Sequence, residues 1–153
     1  MLNLFFAYSH ADEKLRDQLE VHLKMLQRQD VIRTWHDREI GAGLDIDEAI
    51  SDQLATADLV LLLVSPHFLA SDYCYKTEMQ RALTRHRAGE ARVIPVILEP
   101  SDWQGAPFGK LRATPPDGKP IATFTNLNEG FLAVARDIRK AAKDMAARRQ
   151  RVL

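Results

Sequence analysis

Polar residues that could do chemistry are concentrated in three segments of this sequence, at 9–12, 36–43 and 65–72, and each segment directly follows an apolar run. Their hydroxyls, imidazoles and carboxylates are the groups from which helix caps, anion sites and acid–base sites are built. One more carboxylate, that of Glu78, follows the third segment. Because ligands of open parallel sheets bind beyond the carboxyl ends of the strands, these segments form the candidate site if the preceding runs are strands.

Several α/β chemistries are excluded because their defining residues are missing. The sequence contains neither G-x-G-x-x-G nor G-x-x-x-x-G-K-[ST], and therefore neither a dinucleotide-binding Rossmann motif nor a P-loop. It also has no G-x-S-x-G nucleophile elbow and no hydroxyl-rich phosphate loop of the flavodoxin type after the first apolar run. Ser65 stands where a phosphorylation-receiver domain needs an aspartate.

Cysteine and histidine content argues against metal and disulfide chemistry. Cys74 is the one cysteine of the chain, which excludes an internal disulfide and a cysteine-based zinc site and is typical of a cytoplasmic protein. No two histidines stand at H-x-x-x-H spacing, so we predict no metal site. The histidines are His10, His22, His36, His67 and His86.

Five apolar runs supply the strands that would position the candidate site. They lie at 2–8, 31–35, 59–64, 93–98 and, more weakly, 121–124. The third and fourth runs are apolar on both faces, which is typical of parallel strands covered on both sides. Amphipathic helical patterns alternate with the runs, so we predict an α/β, flavodoxin-like fold: an open five-stranded parallel sheet with helices on both faces.

Helix starts are indicated by side chains that can accept hydrogen bonds from unpaired backbone N–H groups. Ser9 or Asp12 caps the first predicted helix and Asp45 the second. Ser71 or Asp72 begins the third helix and Asn128 the last, and Gly89 ends the third. The long connection at 99–118 is rich in proline and is predicted to be a surface loop.

The charge of the chain is zero in sum but uneven in distribution. It has 21 basic and 21 acidic residues, of which residues 136–153 carry seven basic and two acidic, leaving 14 basic and 19 acidic for 1–135. Zero net charge argues against direct nucleic-acid binding.

The sequence predicts no membrane-spanning helix, because the longest apolar run has six residues, against roughly 20 for a membrane span. We predict one domain over 1–147, with a basic tail at 148–153 that is a solvated helix end or the start of a linker to a further domain.

Four motifs in order resemble those of a bacterial-type TIR (Toll/interleukin-1 receptor) domain. FFAYSHAD resembles the first strand and its loop, TWHDREIGAG the BB loop, DLVLLLVSPHFLASDYC the third strand and the approach to the catalytic helix, and VIPVILEPSDW the fourth strand. The resemblance runs from about residue 2 to 145 and implies the TIR fold over nearly the whole chain.

The resemblance also implies an activity, hydrolysis of NAD+ at the nicotinamide glycosidic bond by one glutamate of the third helix. Glu78 is the carboxylate that matches. The family often has an aromatic residue four positions before this glutamate, whereas here Tyr73 is five positions before it and Cys74 four. Whether Tyr73 or Tyr75 takes the aromatic position is left open by the sequence.

NAD+ would be a substrate, and no cofactor is implied. The diphosphate needs donors, for which the loop after the first strand and a basic side chain of the second segment are candidates. The predicted substrate-binding residues are Tyr8, Ser9, His10, Arg38, Tyr73 and Cys74, with Trp35 a further ring that could stack on the ligand.

Each of these assignments has a plainer alternative. Glu78 could be a solvated helix residue, and Cys74 a small buried hydrophobe. Ser9 could act only as a cap, Trp35 could close the edge of the core, and Arg38 with its neighbour could be a solvated loop.

Two functions follow from the resemblance. The first is an assembly-activated NAD+ glycohydrolase of bacterial anti-phage defence, which gives nicotinamide and linear or cyclic ADP-ribose. The second is a non-catalytic module for TIR–TIR contacts. In both, a fused or partner sensor domain is expected, and the BB loop mediates self-association through Arg38, Glu39, Ile40, Gly41 and Gly43.

Overall fold

A four-stranded parallel sheet forms the centre of the structure, a computed structural model that describes residues 1–152. The strand order is β2-β1-β3-β4. In register, Leu4 of β1 lies opposite Thr34 of β2 and Leu59 of β3. The strands are β1 (Leu2–Ala7), β2 (Ile32–Thr34), β3 (Leu59–Val64) and β4 (Arg92–Ile97).

Helices cover both faces of this sheet, as the sequence predicts. They are α1 (Glu13–His22), α2 (Lys24–Arg28), α3 (Ile46–Thr56), α4 (Pro66–Ala70), α5 (Met79–Arg87) and α6 (Leu127–Val152). A π-helical segment, Tyr73–Glu78, leads directly into α5. Short 3-10 turns lie at His10–Asp12, Asp37–Glu39, Pro116–Gly118 and Ile121–Thr123.

Strand β3 shows why the sheet must be covered on both sides. All six of its side chains are buried. Leu59, Leu61 and Leu63 pack into the core on the α1 and α6 side, and the alternate residues of β3 pack into the core on the α3 and α5 side. Each fully buried aliphatic side chain stabilises the fold by roughly 1.5–3 kcal/mol. The strand is therefore firmly held in the core, and the loop that begins at its end starts from a fixed position.

The predicted fifth strand is not formed. Residues 121–123 form a 3-10 turn after Pro120, in which the N–H groups of Thr123 and Phe124 bond to local carbonyls. Proline fixes φ and removes a donor, which favours such a turn over a ladder. Beside β4 an isolated parallel bridge joins Val96 to Thr114 instead. The five-stranded prediction is therefore wrong in this detail, and the described residues form a four-stranded sheet.

Most predicted helix ends are confirmed. Asp45 accepts the Glu48 N–H at 2.9 Å, and Ser71 rather than Asp72 accepts the Cys74 N–H at 3.2 Å. Gly89, with φ +75°, follows the end of α5. The prediction of Asn128 as a cap is wrong.

The cap of α6 is Asn126, because this helix begins at Leu127. The Asn126 side-chain oxygen accepts the Asn128 N–H at 3.0 Å. A capping residue stands just outside the helix, and Asn128 lies inside its first turn.

The basic end of the chain continues α6, with one ion pair inside that helix and one to the residue just before β3. Arg148 lies 2.9 Å from Asp144, and Arg149 lies 2.7 Å from Asp58. Leu153, the last residue of the predicted tail, lies outside the described residues. No helix in the described part of the chain is both long enough and apolar enough to cross a membrane.

Candidate functional site

A cavity of about 460 Å³ opens beyond the carboxyl ends of β1 and β2. All the predicted catalytic and substrate-binding residues except Arg38 line it, and the predicted self-association residues do not. The predicted residues that line it are Tyr8, Ser9, His10, Tyr73, Cys74 and Glu78. The structure thus brings together residues that are up to 70 positions apart in the chain, and their roles remain predictions.

Glu78 is the buried carboxylate of this cavity. It ends the π-helical segment and is only 6% exposed, so the alternative of a solvated helix residue is wrong. Burial raises the pKa of the Glu78 carboxyl from an ordinary 4.5 to about 8. The hydrogen bond from Cys74 opposes this shift in pKa, whereas the Asp37 carboxylate adds to it. The Glu78 carboxyl is therefore mainly protonated at pH 7.

The π-helical segment explains the unusual spacing before Glu78. A π-helix bonds residue i to i+5, so residues five apart stack as residues four apart do in an α-helix. Tyr73, five positions before Glu78, lines the same cavity. Tyr75 packs instead against the core on the α3 and α5 side. Of the two tyrosines left open by the sequence, Tyr73 is the one that shares the cavity with Glu78.

Cys74 links this segment to the end of β1. Its Sγ lies 3.2 Å from the Tyr8 carbonyl oxygen, and the residue is 3% exposed. Burial raises the pKa of the Cys74 thiol to about 11, so the group stays neutral at physiological pH. The interpretation of Cys74 as a small buried residue is confirmed, and the same residue also forms part of the cavity wall.

His36 lines the cavity and holds the residues around it in place. Its Nε2 lies 3.2 Å from the Tyr8 hydroxyl, and its Nδ1 lies 2.7 Å from the Asp37 carboxylate. The backbone N–H of His36 donates to Glu39 at 2.7 Å, which closes a capping box on the turn that starts the BB loop. Burial raises the pKa of the Tyr8 hydroxyl well above its usual range, with Asp37 adding to the effect.

Arg38 lies beside the cavity and does not line it. Its guanidinium donates to Asp17 at 2.7 Å and lies 3.0 Å from the His36 Nε2. The hydrogen bond with Asp17 raises the pKa of the Arg38 guanidinium above its already high value. The other BB-loop residues are exposed apart from the half-buried Ile40, and Gly43 adopts φ +86°, a conformation that favours glycine.

The loop after β1 is fixed from both sides. The Ser9 hydroxyl accepts the Ala11 N–H at 3.3 Å, so Ser9 caps the 3-10 turn that leads into α1, and Asp12 takes the N-cap position of α1 without a side-chain cap bond. The buried Asp12 carboxylate accepts a hydrogen bond from the buried Ser65 hydroxyl at the end of β3. The exposed His10 lies edge-on to the Tyr8 ring, with 5.6 Å between centroids. Trp35 stacks on the core residue Phe5, which confirms that this ring closes the edge of the core, and it also lines the cavity, where its stacking on a ligand stays a prediction.

Sequence reasoning missed two carboxylates of the cavity, those of Asp37 and Asp47. Asp37 lies two positions after the end of the second apolar run, a place that could have revealed it. Asp37 also belongs to a group with Glu13 and His36 whose ligand atoms lie within 4.8 Å of one another, a spacing that suits a metal ion. The Arg38 Nε lies 3.8 Å from Glu13 and 3.1 Å from His36, so an arginine already balances the negative charge of this group.

Comparison with known proteins gives three findings. A family model described as TIR domain matches residues 4–126. An uncharacterized protein, y4lF, from Sinorhizobium fredii (strain NBRC 101917 / NGR234) is 62% identical over 142 residues, which cover 93% of this chain and 44% of that protein. The chain thus spans less than half the length of this bacterial relative.

The third finding concerns a solved structure. The TIR domain of the Toll-related Receptor TRR-2 from Hydra magnipapillata superposes with a TM-score of 0.53 at 20% identity, over 67% of this chain and 74% of that one. At this identity the similarity shows the fold alone. The predicted α/β fold is confirmed by it.

Proposed function

This chain belongs to the TIR domain family, and from that premise we propose that it is an NAD+ glycohydrolase that cleaves the bond between nicotinamide and ribose. One observation carries the proposal: a single deeply buried carboxylate, Glu78, lines a cavity together with the other residues of the family's motifs. The cavity also has the position expected of a ligand site in a parallel α/β sheet, beyond the strand ends.

The reaction suits a site with one catalytic carboxylate. Most glycosidases use a second carboxyl group to protonate a poor leaving group. The nicotinamide of NAD+ is already cationic and leaves as a neutral molecule, taking the electrons of the bond from C1′ to nitrogen. Positive charge then develops on the ribose, and the ionised Glu78 stabilises it more strongly in the transition state than in the ground state. Water adds at C1′, and the products are nicotinamide, ADP-ribose and a proton.

The protonation state of Glu78 links substrate binding to this chemistry. A pKa of about 8 keeps the Glu78 carboxyl mainly neutral at pH 7. A bound pyridinium cation favours the charged carboxylate, because an opposite charge nearby lowers the pKa of a carboxyl group. The substrate itself therefore promotes the ionised form that catalysis requires, and Glu78 then hydrogen-bonds the ribose hydroxyls.

The remainder of the dinucleotide extends from the cavity toward the loop after β1. Backbone N–H groups near Ser9 and His10 are the donors proposed for the diphosphate, and Arg38 adds positive charge at the same rim. The product is linear when water attacks C1′ and cyclic when a group of the adenine ring attacks it.

Nicotinamide release tests the proposal. The assay uses concentrated protein, with and without a fused dimerising partner, because family members commonly need assembly to complete the site. Glu78→Gln should abolish release. The matched control is Glu90→Gln, which removes an exposed glutamate beyond the end of α5. Equal release by wild type and Glu78→Gln would refute the proposed role of Glu78.

A second candidate function is a module for TIR–TIR contacts, and exposed apolar side chains just after the BB loop favour it. Leu44 is 63% exposed and Ile46 61%, and both directly follow the BB loop. Concentration-dependent oligomers without NAD+ turnover, even in an enforced dimer, would favour this function over catalysis. The two functions are compatible, and we propose that a sensor segment of a longer protein drives assembly during bacterial anti-phage defence in the cytoplasm.

A further inference from the structure

The cavity has an unusual charge for a site that takes a dinucleotide. Among its lining residues that the structure describes, Asp37, Asp47 and Glu78 carry carboxyl groups, and none carries an ammonium or guanidinium group. The neighbouring Arg38 guanidinium, which does not line the cavity, is paired with the Asp17 carboxylate. Carboxylates repel a diphosphate and attract a cation. The interior of the cavity is therefore matched to the cationic pyridinium end of such a ligand and not to its phosphates.

Asp37 is the carboxylate best placed to meet that cation. Its side chain is 24% exposed, and its oxygens lie 2.7 Å from the His36 Nδ1 and 3.6 Å from the His10 Nε2. Its backbone carbonyl accepts the Ile40 N–H at 3.1 Å within the turn after β2. The carboxylate is thus held by both its side chain and its backbone, and its orientation is set before a ligand arrives.

The other two carboxyl groups act differently. Asp47 lies in the exposed first turn of α3, where solvent weakens its field. Glu78 lines the same cavity, and the charge of Asp37 contributes to the raised pKa of the Glu78 carboxyl. Two carboxyl groups that line one cavity disfavour double ionisation until a cation binds near them.

We infer that Asp37 is a specificity-determining residue that binds the charged ring of the substrate, and that the cavity takes N-substituted pyridinium cations as its ligand class. This inference rests on the proposed function, because NAD+ is such a cation. It adds a second carboxylate to the site, one that acts in ring recognition and that the catalytic assignment does not include.

The test is a binding titration that needs no turnover. The probes are 1-methylnicotinamide, which carries the pyridinium charge, and nicotinamide, which is neutral and otherwise similar. Binding is followed by NMR chemical shifts for wild type, Asp37→Asn and Asp52→Asn. Asp52→Asn is the matched control, since it removes an exposed carboxylate of α3 that does not line the cavity.

We expect wild type and Asp52→Asn to bind the cation more tightly than the neutral ring. Asp37→Asn should bind the cation about tenfold more weakly, on the order of the effect of one nearby charge, with neutral binding unchanged. The rise of kcat/KM with pH should also move to lower pH in this variant, because the Glu78 carboxyl loses a neighbouring negative charge. A purely structural role of Asp37 would leave that profile in place.

Two results would overturn the inference. One is wild-type protein that binds nicotinamide as tightly as 1-methylnicotinamide, a result that requires no variant to fold. The other is an Asp37→Asn variant, or Asp37→Ser if the first does not fold, that keeps the preference for the cation. Failure of the proposed function gives a different pattern: the cation preference persists and depends on Asp37, while no nicotinamide is released from NAD+.

Discussion

The buried Glu78 carboxyl should make the fold less stable as pH rises, and substitution to glutamine should remove that dependence. Its pKa is raised from 4.5 to about 8 in the folded protein, so between these values the folded state binds more protons than the unfolded state. The penalty for ionising the group is absent below pH 4.5 and fully present above pH 8. At about 1.36 kcal/mol for each tenfold change in proton affinity, its upper limit is on the order of 5 kcal/mol.

Urea unfolding at pH 5, 6, 7 and 8.5 measures this effect for wild type and Glu78→Gln, with Glu90→Gln as the control. The free energy of unfolding of wild type should fall by several kcal/mol relative to Glu78→Gln across this range. The control should follow wild type. If wild type and Glu78→Gln show parallel pH profiles, Glu78 does not have the raised pKa from which the substrate-linked ionisation is derived.

Two further predictions concern the loop after β1 and the exposed apolar residue beside the BB loop. Ser65→Ala leaves the buried Asp12 carboxylate without its hydroxyl donor and should cost about 1–3 kcal/mol in urea unfolding; a change below about 0.5 kcal/mol would show that this pair does not hold the loop. Leu44→Asp places a charge on an exposed apolar side chain beside the BB loop, so it should weaken concentration-dependent association in sedimentation velocity while the monomer's melting temperature stays within about 2 °C. Unchanged association would exclude Leu44 from the self-association surface.

The four strands could be predicted from the sequence because their apolar character is local. Runs such as 59–64 are apolar on both faces, and no other arrangement buries them as well. The same reasoning placed the three polar segments at the strand ends. It failed at 121–124, where the preceding Pro120 and hydrogen bonds between near neighbours outweigh an apolar pattern of only moderate strength.

The rest of the site depends on contacts between distant parts of the chain. Arg38 pairs with Asp17, 21 residues earlier, and therefore lies outside the cavity. Arg16 interrupts the apolar face of α1 yet is buried, because it pairs with Asp17 and Glu20 while its guanidinium lies 4.5 Å over the Phe6 ring. Neither arrangement has a sequence signal.

The helical register at the site also escaped prediction. An α-helix and a π-helix have similar residue preferences, so the five-residue spacing of Tyr73 and Glu78 left the aromatic assignment open until the geometry was known. The negative charge of the cavity could not be predicted either, because it depends on the fold bringing Asp37 of the turn after β2 into the same lining as Glu78.

The most direct measurement is the rate of nicotinamide release from NAD+ by the enforced dimer, followed by chromatography. Wild type and Glu90→Gln should release nicotinamide at equal rates, and Glu78→Gln should be slower by at least about 100-fold, as expected for loss of the charge that faces the developing oxocarbenium ion. Nicotinamide release by Glu78→Gln at the rate of wild type would contradict the account.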